Sequence, residues 1–76
     1  MDIKQRAARA RALLADENFR TVMDELRDEQ VNIFLNSGST DSELREEAHS
    51  IVSALSKIEG RLQSAITDEK IFEKRK

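Results

Sequence analysis

Leu44, Ala48, Ile51, Leu55, Ile58, Leu62 and Ala65 follow one another at spacings of 4, 3, 4, 3, 4 and 3 residues. Apolar positions recurring every 3.5 residues line up along one side of an α-helix, and such a column is buried only against another helix. Leu44, Ile51, Ile58 and Ala65 take heptad position d, Ala48, Leu55 and Leu62 position a, and Val52 and Ile66 at e widen the seam. A chain of 76 residues with no proline and two glycines offers few breaks for a sheet-and-turn protein. The expected fold class is all-α.

A helix over 41–66 would be roughly 39 Å long and would favour a nearly antiparallel neighbour. The segment 17–36 supplies the matching stripe: Phe19, Met23, Leu26, Gln30 and Ile33, with Val22 and Phe34 beside it. Together they make an antiparallel helical hairpin with a coiled-coil-like seam, held closed by Phe19, Met23, Leu26, Ile33, Leu44, Ile51, Leu55, Ile58 and Leu62. Gln30 either fixes register within the seam or sits at its edge and reaches water.

The breaks are local. Asn36-Ser37-Gly38-Ser39-Thr40 ends the first long helix, with Asn36 to Gly38 suited to a left-handed stop and residues 37–40 as the turn. Thr40 followed by Glu43 has the spacing of a capping box for the next helix. Asp16 would cap a helix starting at Glu17, leaving 1–15 as a short extra N-terminal helix; a continuous helix over 3–36 is also allowed. Thr67 offers another cap, making 67–76 a short tail in which Ile71 and Phe72 either dock elsewhere or fold back as a last turn. Opposite the seam lie Ser50, Ser53, Ser56, Gly60 and Ser64. They form either a solvated face or a surface small enough for Ala7-Ala8-Ala10-Ala12 to approach closely.

The core available to such a fold is thin. Apolar residues make up 38% of the chain, but eight are alanine and only three are aromatic. A single core in a chain this short supplies roughly 3–5 kcal/mol, so small domains need a further staple. The chain has no cysteine for a disulfide and one histidine for a metal. The remaining staple is self-association into a helical bundle or ring, or docking to a larger protein assembly. Val31, Phe34 and Leu35 turn away from the stripe and are the first candidates for that contact, joined by Ile71 and Phe72.

Chemistry is sparse. There is no Cys–His pair, no serine with a credible base and no glycine-rich phosphate loop, so no enzyme and no cofactor is expected. Glu46-x-x-His49 has the spacing of half a di-iron carboxylate site, with Glu25 or Glu29 as a further ligand, yet heptad positions f and b turn both residues outward. No metal is expected there. No apolar run approaches the ~20 residues that cross a bilayer, and the start lacks a secretory leader's apolar stretch, which points to the cytoplasm and away from membranes.

Charge is segregated although the net is only −2. Residues 1–15 carry +3 through Lys4, Arg6, Arg9 and Arg11 against Asp2, and residues 16–47 carry −7. The basic arm could grip a few phosphates of a nucleic acid or an acidic partner, although no aromatic residue is interleaved for base stacking. The carboxylates of Asp24, Glu25, Asp28 and Glu29 could instead mimic a phosphate row and occupy a basic surface of a host protein.

The run Arg9-Ala10-Arg11-Ala12-Leu13-Leu14-Ala15-Asp16-Glu17-Asn18-Phe19 is followed by an acidic amphipathic helix, a polar break and Asp41-x-Glu43-Leu44-Arg45-Glu46-Glu47 before the seam. This order of features, over about residues 6–70, resembles short, poorly characterised helical proteins encoded by tailed bacteriophages, often near head and packaging genes. The resemblance implies a phage particle or its assembly as the setting, in host cytoplasm or virion, and carries no activity or site residues. The expected function is a non-enzymatic structural or adaptor protein working through helix–helix contacts. The alternatives are a nucleic-acid-associated packaging or regulatory protein and a small acidic inhibitor.

Overall fold

The computed structural model describes residues 2–38 and 40–75; Ser39 of the expected turn and Lys76 of the expected tail lie outside the described residues. Three helices, α1 (Ile3–Ala15), α2 (Glu17–Asn36) and α3 (Ser42–Lys74), account for nearly all of the described chain, which contains no strand. The third packs against both of the others, which barely touch each other.

Asp2 opens α1 with a capping box: its Oδ1 accepts the Gln5 backbone N–H at 2.7 Å, and the Gln5 side chain accepts the Asp2 N–H. Asp16 then breaks the chain in the way its side chain allows. Its backbone is extended at φ −73° and ψ 119°, its N–H donates to the Leu13 carbonyl, and its Oδ1 accepts the Phe19 N–H at 2.8 Å. One residue thereby ends α1 and caps α2, so the alternative of one continuous helix over 3–36 is not the one adopted.

The second break differs from expectation in two respects. No described residue has a positive φ, so Asn36 to Gly38 do not form a left-handed stop. Ser37 turns extended instead and its hydroxyl donates to the Phe34 carbonyl at 2.9 Å. The Thr40–Glu43 capping box is also absent: α3 starts after Asp41, which makes no side-chain cap and whose Oδ2 accepts the Gly38 N–H at 3.0 Å. The Asp41 carboxylate holds the turn together from within.

The largest difference is the end of α3. Thr67 does not cap a new element, and the helix runs 33 residues to Lys74, a span of about 50 Å. Residues 67–74 are helical because α1 lies alongside them: Lys4 pairs with Glu73 at 3.7 Å and Arg11 with Glu69. Farther along, Arg27 pairs with Glu59, and the Arg45 guanidinium stands 5.2 Å from the Phe34 ring centroid. Partners that advance along α1 and α2 retreat along α3, so α3 doubles back beside both. The 13 and 20 residues of α1 and α2 together match its 33.

The result is a slab of 56 × 24 × 18 Å with a radius of gyration of 16.4 Å, against about 11 Å expected for a compact chain of this length. Its buried apolar residues are Ala7, Ala10, Met23, Ala48, Leu55 and Ala65, four of them alanine. Alanine at the α1–α3 contact leaves nothing to hold the helices apart. Of the expected seam, Met23 and Leu55 are buried and Phe19, Ile51 and Leu62 are half-buried, while Leu26, Ile33, Leu44 and Ile58 are exposed. The d column is covered unevenly, with Ile51 half-buried and Ala65 buried but Leu44 and Ile58 exposed, while the a column holds the contact through Ala48 and Leu55. Val52, Glu59 and Ile66 at e, and Glu69 at a, are half-buried. Gln30 is half-buried on the contact line of α2.

Candidate interaction surface

The slab has two broad faces, separated by the line along which α3 meets α1 and α2. At 3.6 residues per turn, Met23 and Gln30 mark the contact line of α2, with Val31 and Phe34 to one side and Val22, Leu26 and Ile33 to the other. On α3, Ala48 and Leu55 mark the line, with His49 and Val52 to one side and Ile51 and Ile58 to the other. Val31 and Phe34 share a hollow with Ala48, His49 and Val52. That hollow fixes which flanks coincide, and it places Val22, Leu26 and Ile33 on the same face as Ile51 and Ile58. Leu13 joins this second face, because it shares a hollow with Arg61 and with Ala65, one heptad beyond Ile58.

The first face holds part of the expected contact set. Phe34 is 41% exposed, but its ring carries the Arg45 guanidinium, a cation–π contact within the chain. Val31 flanks it, and Leu35, at 71% the most exposed large apolar residue described, stands near the turn. Ile71 and Phe72 are also exposed but lie in the last turns of α3, beside the start of α1. The five expected contact residues are thus divided between opposite ends of a 56 Å molecule.

The second face carries what the sequence reading assigned to a closed seam. Val22, Leu26, Ile33, Leu44 and Ile58 are exposed there, together with Leu13. Among the described residues only two apolar side chains larger than alanine, Met23 and Leu55, are buried, while eleven are exposed. The signal that could have found this face was the alanine content of the apolar set, since small residues along the contact leave the larger ones outside it.

The basic cluster is rearranged as well. Lys4 and Arg11 reach across to Glu73 and Glu69 of α3. Arg6 and Arg9 stay on the second face and are joined by Arg61, which the sequence alone did not group with them. Asp24, Glu25, Asp28 and Glu29 are all exposed on α2, toward the turn end. Glu46 and His49 line a shallow hollow with Phe34, Ser42 and Arg45. Among the described residues no group of three His, Cys, Asp or Glu is placed to hold a metal ion, and no helix is long and apolar enough to cross a membrane.

Of the two readings of the serine face, close approach by the alanine-rich segment is not the one adopted. Gly60 has open space where a Cβ would stand, Ser50, Ser56 and Ser64 are exposed, and Ser53 is half-buried. The alanines of α1 pack instead near Leu62 and Ala65, on the opposite side of α3.

Comparison with protein-family models, with curated proteins and with solved structures finds no match to this chain.

Proposed function

We propose that this chain is a non-enzymatic structural or adaptor protein that works through helix–helix contacts, as a subunit of a helical bundle or ring or as a component of a larger protein assembly. The observation that supports this most is the inverted burial of its apolar side chains, with eleven large ones exposed and two buried. An isolated slab of this kind leaves most of its hydrophobic free energy unused, and contiguous exposed apolar surface beyond a few hundred Å² marks interaction sites. The phage particle or its assembly, implied by the sequence resemblance, is the setting in which we place it.

Solution mass by light scattering, with helicity followed by circular dichroism across a dilution series, tests the reading. A discrete oligomer whose helicity falls on dilution is the expected result. A chain that stays a helical monomer at every concentration, and that no partner protein retains, would overturn it.

A further inference from the structure

We infer that the second face is the docking surface for a second copy of this chain, laid against it in reverse, so that α3 faces α3 and α1–α2 faces α1–α2 about a two-fold axis level with Ile58. This rests on the structural reading above and names its partner.

Two observations select a reversed second copy over other occupants. The first is charge. Residues 2–15 and 58–75, which the fold places at one end of the slab, carry eight basic against five acidic side chains, while residues 16–57 carry ten acidic against four basic. A parallel pair sets like ends together, and a reversed pair sets each basic end over an acidic one. The second is size. The molecule's extents of 56 Å along and 24 Å across leave room for the roughly 800 Å² that each partner gives to a standard protein interface.

The register follows from the element lengths. Ile58 is the midpoint of α3 (Ser42–Lys74) and is 45% exposed on this face, so reversal sets it against Ile58 of the second copy. The same reversal brings half-buried Ile51 over Ala65. Along the other layer it sets Leu13 over Leu26 and brings Arg9, at the flank, beside Glu29 of the second copy. The four helix layers then enclose the apolar row that a single chain leaves in water, and the contact is isologous, as a two-fold requires.

The chain has no cysteine, so single cysteines report the geometry directly. Ile58→Cys should oxidise to a covalent dimer under mild oxidant while keeping its helicity, and Leu35→Cys, at the turn, should stay largely uncrosslinked. Ile58→Asp should remove the dimer from solution while the monomer, whose residue 58 is already exposed, remains helical. Arg9→Glu and Glu29→Arg should each weaken association severalfold, and mixing the two variants should restore it. Three results overturn the inference. Efficient crosslinking at residue 35 but not at 58 assigns self-association to the turn end. A dimer untouched by Ile58→Asp assigns it to another face and leaves the structural role standing. A wild-type chain that is monomeric at the highest concentration reached gives the face to a heterologous protein.

Discussion

Asp16 and Gly60 show how differently single residues constrain this chain. The carboxylate of Asp16 accepts the Phe19 N–H while its own N–H donates to Leu13, so one side chain both ends a helix and begins another. Gly60 does no comparable work: it lies in the interior of α3, and a Cβ there would meet nothing within 4 Å. Gly60→Ala should therefore stabilise the protein by about 0.5–1 kcal/mol, the helix-propensity difference, read as a shift of the urea midpoint without change of slope. A destabilised or dissociated Gly60→Ala protein would show that this face is covered in solution. The opposite test is at Ala7, which has no exposed surface in the α1–α3 contact. Ala7→Leu should cost about 1–3 kcal/mol by overpacking, with the loss appearing in thermal unfolding.

At the scale of elements, α1 and the C-terminal third of α3 depend on each other. A 13-residue helix is marginal in water by itself, and α1 is held by its alanines and by exposed ion pairs worth about 0.2–1 kcal/mol each. Removing residues 67–76 takes away Glu69 and Glu73 together with the helical surface beside Lys4. The truncated chain should lose more helical signal than the deleted residues account for, because α1 unravels with them. A loss matching the deletion alone would mean that α1 stands without this support. Much of this level was legible in the residues: the heptad spacing of α3, the Asp16 cap and the polar break after Asn36 are local signals. The helical state of 67–74 was not, because Arg11 and Lys4, which hold it, are about sixty to seventy residues away in the chain.

For the whole molecule, the long slab and its exposed apolar rows make stability a function of concentration. If folding and association are coupled, the thermal midpoint should rise by roughly 4 °C for each tenfold increase in protein concentration. It should fall with added salt, which screens the attraction between opposite ends. A midpoint independent of concentration would separate folding from assembly. The expected contact residues fall into two separate groups at this scale. Val31, Phe34 and Leu35 gather near the turn and Ile71 and Phe72 at the far end, while Leu26, Ile33, Leu44 and Ile58, expected inside a closed seam, lie open on the second face.

What the amino-acid sequence determined by itself is the helical character of the chain, the end of one long helix near Asn36 and the start of the next just after it, with a break at Asp16 as one of two readings it allowed. These depend on period, capping side chains and the lack of proline, all of which act within a few residues. Only the tertiary structure decided which flank of each helix is covered. Position a or d of a heptad is a direction around one helix, and whether that direction meets a neighbour depends on supercoiling and on what packs alongside. Here the contact runs through Ala7 and Ala10 of α1, Met23 of α2 and Ala48, Leu55 and Ala65 of α3, leaving Ile58 and the stripe of Val22, Leu26 and Ile33 facing outward.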